Sequence, residues 1–225
     1  MTYVGAPVRR REDRALLTGA GKFVDDLHLP EMLHMAVVRS PHAHARIVEI
    51  ATAEALATPG AVAVITAADL SDPVPRIGVP PLFPGLDTVT HPLIAKRMVR
   101  YVGEPVAVVL AGNRYEAEDA AERVQVRYDP LSPILDPDAA VAAGAPVLHR
   151  GRTSNLVMSH TVSGGDLDAA FRRAAVTVEV TMEQPRLAAV PLECRGAVAA
   201  HDPTADRQTR SATSDGAGPC TAAHP

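Results

Sequence analysis

The sequence has no tryptophan and only three phenylalanines and four tyrosines among 225 residues, so its core must be built from Ala, Val, Leu and Ile. Two cysteines, Cys194 and Cys220, are too few for a disulfide framework or a cysteine-ligated cluster. A reducing, cytoplasmic setting is the expectation. No window approaches the roughly 18 consecutive apolar residues that span a bilayer, so no membrane association is expected. Positive charge is not in excess either. A net charge of −4 gives no electrostatic reason for a nucleic-acid partner. Arg9-Arg10-Arg11 opens like a twin-arginine export signal, but such a signal continues with about 7–15 apolar residues. Here Glu12, Asp13 and Arg14 follow, and then only Ala15-Leu16-Leu17, so no export signal is expected.

Catalytic signatures are equally scarce. G-x-S-x-G, the zincin motif, G-x-G-x-x-G and CxxC are all missing. Gly19-Ala20-Gly21-Lys22 matches half of a phosphate loop, but the full motif fails at Leu16 and again at Phe23, leaving a turn before a strand. His42-Ala43-His44 could offer two metal ligands from one strand. A stable site takes three or four, and no carboxylate or cysteine stands at a matching spacing. A polar turn after Ser40-Pro41 is the plainer expectation. Cys194 would need a stabilised thiolate and a positioned His; its neighbour Glu193 opposes the thiolate, and Arg195 only offsets that. No catalytic, cofactor-binding or metal-binding residue is therefore assigned.

What the chain does have is 47% hydrophobic and 21% charged residues, the balance of an ordinary globular protein of one large or two small domains. Residues 1–30 show no sustained periodicity and read as an extended arm with short strands. Met32–Val38, Ala45–Ile50 and Ala61–Thr66 read as strands, with a short helix over Ala53–Ala57 opened by Thr52 and stopped by Pro59-Gly60. Asp69–Pro92 is rich in Pro and Gly and reads as a long loop. Val99–Val102 and Val106–Ala111 flank a turn at Gly103-Glu104-Pro105. Asn113 and Glu116 are spaced as a capping box, and Ala117, Ala120, Ala121 and Val124 share one helical face. Val124, Val126 and Tyr128 then alternate as a strand. Strand, capped helix, strand is an α/β pattern. A Pro- and Ala-rich connector from Asp129 to Pro146 marks a boundary. Beyond it Gly164-Gly165-Asp166 opens a helix over Leu167–Ala174, and Val176, Val178, Val180 and Met182 alternate with Thr177, Glu179, Thr181 and Glu183 as a half-buried strand. From residue 206 onward large apolar residues all but vanish, and a disordered tail is expected.

Several stretches together resemble one family. Val4-Gly5-Ala6-Pro7-Val8-Arg9-Arg10, Leu17-Thr18-Gly19 and Phe23-Val24-Asp25-Asp26 are similar to the opening of the molybdopterin-binding large subunits of molybdenum hydroxylases. These are the xanthine dehydrogenases, aldehyde oxidases and carbon monoxide dehydrogenases. The likeness continues through Val38-Arg39-Ser40-Pro41-His42-Ala43-His44-Ala45-Arg46-Ile47, Thr58–Thr66 with Asp69-Leu70, His91-Pro92-Leu93, and Val99–Val109 with Tyr128 and Leu131. It implies an α+β class and an α/β hammerhead domain of the aldehyde oxidase/xanthine dehydrogenase type. Gly165–Phe171, Arg186-Leu187 and Pro191-Leu192-Glu193 resemble the start of the following molybdopterin-binding domain.

The organisation implied is an extended arm at 1–18, the hammerhead at 19–132, a linker at 133–160, the first strands and helix of the cofactor domain at 161–205, and a disordered or frame-shifted tail at 206–225. The family's cofactor domain carries a Phe-Gly pair near the pterin and a distant catalytic glutamate. No Phe-Gly occurs here, since Phe23, Phe83 and Phe171 precede Val24, Pro84 and Arg172. The resemblance thus implies a piece of an oxidoreductase that hydroxylates heterocycles or aldehydes or oxidises carbon monoxide. This piece would serve as a structural and subunit-contact domain without the active site. Molybdopterin would belong to the intact enzyme, and iron–sulfur clusters and FAD to partner subunits, with the remainder of the large subunit as a further partner. The alternative is a non-enzymatic interaction or assembly module that complements a separately encoded cofactor domain. The sequence departs from the family at Ala51, where Asp is common, and at Cys194, where Pro is usual. It departs again after Gln208, where an apolar strand should follow.

Overall fold

In the computed structural model every residue is described except 1–2, 79–85, 87–88, 150, 186, 188–189, 191–192, 194, 203–206, 213–221 and 225. Two units separate: Glu31–Ala174, and Met1–Pro30 with Ala175–Pro225. The smaller unit opens with helix α1 (Asp13–Leu17) and a single 3-10 turn (Val24–Asp26). The larger unit runs through β1 (His34–Arg39), β2 (Ala45–Ala51), α2 (Ala53–Leu56), β3 (Ala61–Thr66), β4 (Arg76–Gly78), β5 (Thr90–Pro92) and β6 (Met98–Val99). It continues with β7 (Pro105–Ala111), α3 (Arg114–Glu122), β8 (Gln125–Pro130), α4 (Pro137–Val141) and α5 (Leu167–Arg173). The smaller unit closes with β9 (Ala197–Asp202), β10 (Arg207–Ala212) and β11 (Ala222–His224).

The apolar run of β7 is the centre of the larger unit. It lies between β1 and β3 in an antiparallel sheet, with Ala36 and Val64 both opposite Val109. Alternation along the strand sends Ala107 and Val109 to the side where α2 and α3 contribute Ala55 and Ala120. Val106 meets Ala45, Ala95 and Val99, and Val108 leans on Ala67, Val74 and Ile94. Apolar neighbours on both sides explain why no polar residue interrupts the run. A second antiparallel sheet, β6-β2-β8, pairs Ile50 with Val126 and Ile47 with Tyr128, and these side chains extend the same cores. With so few aromatics, the close approach of α3 to the sheet rests on alanines.

Helix starts follow the caps read from sequence. Asn113 Oδ1 accepts from the Glu116 amide at 3.0 Å, and Asp166 Oδ1 accepts from the Ala169 amide at 2.9 Å. Mixed helix and antiparallel sheet agree with the α+β expectation.

Other expectations need correction. The arm at 1–30 contains α1 and a 3-10 turn and, among its described residues, no strand. Leu16, Leu17 and Ala15 with flanking charges suffice for one helical turn. The long loop contributes β4 and β5, which pair as Ile77 with His91, while its tip lies outside the described residues. The connector at 133–160 is more ordered than its composition suggests. Asp136 caps α4, and the Asn155 amide donates to the carbonyls of Ala140 and Pro146. Residues 176–182, for all their alternation, form no strand. A strand exists only through a ladder partner, and none of the described residues supplies one. The tail expected to be disordered contributes β10 and β11, paired in the order β11-β10-β9. Backbone pairing does not require apolar side chains, which is why composition missed it. Residues 213–221 of that tail lie outside the described set.

Candidate functional site

The one fully buried acid among the described residues is Glu104, with none of its surface exposed. Gly103 places it there. With φ at +92° this residue takes a conformation that a side chain would strain, and its amide donates to the Ser40 carbonyl at 2.8 Å. The Ser40 amide donates in turn to the Glu104 carbonyl at 3.0 Å, and Arg39 Nη1 donates to the Gly103 carbonyl at 2.9 Å. The turn is thus sewn to the end of β1 and its glutamate faces inward.

There the Glu104 carboxylate meets Arg100. Oε2 accepts from the Arg100 amide at 2.5 Å, and Oε1 stands 3.8 Å from Nη1 without a hydrogen bond. Arg100 also reaches outward, donating from Nε to the Leu148 carbonyl and from Nη1 to the Met98 carbonyl, both at 3.2 Å. His91 lies edge-on to Tyr101 at 5.8 Å and to His149 at 5.4 Å, with its own Nδ1 buried and unpartnered.

The electrostatics follow from burial. Desolvation pushes the Glu104 carboxyl above its usual range, opposed by the Arg100 amide and by the charges of Arg100, His91 and Arg76. His149 is lowered to about 4 by desolvation and by the neighbouring positive charges of Arg100, His91, Arg152 and Arg76. Burial, then the Glu104 charge, raises the Tyr101 hydroxyl. A sealed carboxylate tied to an arginine has no face for a substrate. What this cluster can do is hold β6, β7 and the connector around Leu148 in register.

The residues singled out from sequence do not converge. Ser40 Oγ donates to the His42 carbonyl and accepts from its amide, closing a tight turn. The His42 ring stands edge-on to Tyr128 at 4.9 Å. His44 Nδ1 is 2.9 Å from the Ser132 carbonyl, which can only accept, so Nδ1 carries the proton. Among the described residues no three His, Cys, Asp or Glu side chains stand close enough to hold a metal. At Gly19–Lys22 the amides of Ala20 and Gly21 both donate to the Ala15 carbonyl, at 2.8 and 3.0 Å. Those N–H groups finish α1 and are not free to cradle a phosphate. Glu193 Oε1 accepts from the Val24 amide at 3.1 Å, a structural tie, while Cys194 lies outside the described residues. Sequence reading passed over Glu104, Arg100, His91 and His149. The available signal was a carboxylate set between Gly103 and Pro105 in an otherwise apolar stretch.

Comparison with known proteins places this architecture. The profile of the aldehyde oxidase and xanthine dehydrogenase a/b hammerhead domain matches residues 18–132. The nicotine 6-hydroxylase large subunit of Paenarthrobacter nicotinovorans is 40% identical over 204 residues, which cover 91% of this chain and 25% of that protein. The carbon monoxide dehydrogenase large chain of Hydrogenophaga pseudoflava is 39% identical over 206 residues, 86% of this chain and 25% of its own length. The crystal structure of quinoline 2-oxidoreductase from Pseudomonas putida 86 superposes with a TM-score of 0.81 at 39% identity, covering 89% of this chain and 25% of that one. The chain spans about a quarter of the length of the relatives it matches.

Proposed function

The chain belongs to the aldehyde oxidase and xanthine dehydrogenase family, and we propose that it is the hammerhead-bearing portion of a molybdenum hydroxylase large subunit. The single observation that carries this reading is similarity along 91% of the chain to a quarter of the nicotine 6-hydroxylase large subunit. On this reading residues 19–132 are the hammerhead and 161–205 the opening of the cofactor domain. The intact enzyme is an oxidoreductase that hydroxylates a heterocycle or aldehyde, or oxidises carbon monoxide. It draws on molybdopterin in the large subunit and on iron–sulfur clusters and FAD in partner subunits. Among the described residues no helix is long and apolar enough to cross a membrane.

Two places among the described residues support a portion that does not itself hold molybdopterin. Glu104 is closed off by Arg100, and the hollow beside α4, bordered by Ala140–Ala145 and Thr153–Asn155, has no cationic side chain to meet a phosphate. Both support the reading of this portion as structural. It presents a rigid sheet-and-helix body for the rest of the enzyme to pack upon. The chain purified from cells that make the cofactor should contain no stoichiometric molybdenum by elemental analysis. Stoichiometric metal that survives gel filtration would overturn this reading. The second reading, an interaction module that complements a separate cofactor domain, is favoured by one observation: the exposed apolar side chains of Val176–Met182.

A further inference from the structure

Three guanidinium groups and two imidazoles gather in the larger unit. Arg76 comes from β4, His91 from β5, Arg100 from the loop after β6, and His149 and Arg152 from the connector. His91 and His149 stand edge-on at 5.4 Å, and Arg100 Nε donates to the carbonyl of Leu148, the residue before His149. The charges of Arg100, His91, Arg152 and Arg76 all act on His149, and among the described residues no carboxylate offsets them there. Glu104, the acid of the cluster, is sealed inside against Arg100.

Like charges held together in one place attract a counter-ion. Hydrogen bonds to neighbouring groups hold the guanidiniums in position. Arg76 Nε donates to Thr90 Oγ1 at 2.7 Å and its Nη2 to the Thr90 carbonyl, while Arg152 donates to the carbonyls of Ser154 and Leu156. A guanidinium carries five N–H donors, so among the described residues Arg76 and Arg100 each keep donors unspent. Such forks match the oxygens of phosphate and sulfate. His149, His91 and Arg100 are half-buried, so salt screens an ion beside them less than one on open surface.

We propose that Arg76, Arg100, Arg152 and His149 form a binding site for one phosphate-type oxyanion, free or as the head of a small phosphate ester, that ties the connector to β4 and the loop after β6. The site lies wholly within residues 76–152 and stands independently of the functional reading above. Its test follows the His149 ring by NMR in the full chain while inorganic phosphate is added, against chloride at matched ionic strength. Screening by either salt lifts the titration of His149 a little. Bound phosphate should lift it further and saturably, from about 4 toward the ordinary histidine range. Phosphate should also raise the melting temperature above that in matched chloride, as a ligand of the folded state does. Arg76→Gln should weaken binding about tenfold, the size of one lost charge-assisted hydrogen bond, and Arg76→Lys should weaken it less. Arg76→Gln with Arg152→Gln should abolish saturation. Tighter binding of glycerol 2-phosphate than of inorganic phosphate would name an ester as the source of the anion, and the reverse order the free ion. Equal effects of phosphate and chloride on the parent chain would reduce the cluster to screening and overturn the proposal, whatever the variants do. Saturation that survives in the double variant would place the anion elsewhere and overturn it too.

Discussion

Arg100 and Glu104 are tied twice, through the backbone amide of Arg100 to Oε2 and through its guanidinium 3.8 Å from Oε1. The two residues stand four apart in a loop, outside any helix, so the pair holds the loop's shape. Because Arg100 Nε also donates to the Leu148 carbonyl, the same contact fastens the connector to the strands.

Glu104→Ala removes the acceptor for the Arg100 amide and leaves the guanidinium without its counter-charge. Breaking a fully buried pair costs about 3–5 kcal/mol, and Arg100 retains partial solvent access, so a loss of about 2–4 kcal/mol is expected. Glu104→Gln keeps one acceptor in place and should cost less than about 1 kcal/mol. Urea denaturation of the three proteins at neutral pH measures both differences. Equal stability of Glu104→Ala and the parent would mean the pair contributes nothing.

His149 titrates near 4 in the folded chain and near 6.5 when unfolded. Between those values the unfolded chain binds the extra proton, so stability should fall as pH drops from about 6.5 to about 4. Glu104 acts with the opposite sign. Its carboxyl is raised, so its contribution is lost as pH rises from the ordinary carboxylate range through the folded value. Denaturation midpoints measured across this range should be flatter for His149→Gln than for the parent at the acidic end. An unchanged slope would show that His149 is freely protonated in the fold.

Asn113→Ala deletes the cap of α3. The Glu116 amide loses its partner, and a cost of about 1 kcal/mol is expected from comparable caps. Helical circular dichroism should change little, because Ala117 and Ala120 are still held by the sheet. A thermal melt that does not move would remove the cap from the account.

Gly60→Ala should cost about 1–2 kcal/mol, the strain of a side chain in left-handed backbone. Gly60 sits at φ +80° and its carbonyl accepts from the Gly112 amide, so the turn cannot relax without losing a tie to the end of β7. A new Cβ would also come within 2.0 Å of Glu116 Oε2, although that carboxylate can swing away. Gly60→Ala in a Glu116→Ala background should therefore recover only a small part of the loss.

Much of the hammerhead could be read directly from residue order. The run through β7, the cap at Asn113 and the alternation at Val124–Tyr128 are local patterns, and local patterns survive into the fold. The spacing of Gly103, Glu104 and Pro105 announced a turn but not the inward carboxylate. The charges of Arg76 and His91 that act on it are brought from distant segments by tertiary packing. Residues 176–182 show the opposite failure, where the pattern was plain but a strand also needs a neighbour. In β10 the backbone ladder formed without the apolar signal on which composition depends.

The order β1-β7-β3 makes the central strand the last of the three in chain order. His34–Arg39 and Ala61–Thr66 are both made before the strand that joins them, and neither is paired with the other. During synthesis two apolar edge strands must therefore wait, unpaired, until residue 111 has emerged. Contacts that close over such sequence separations are slow to form. Until then the future edges of the sheet are themselves unpaired strands, open to pairing with another chain.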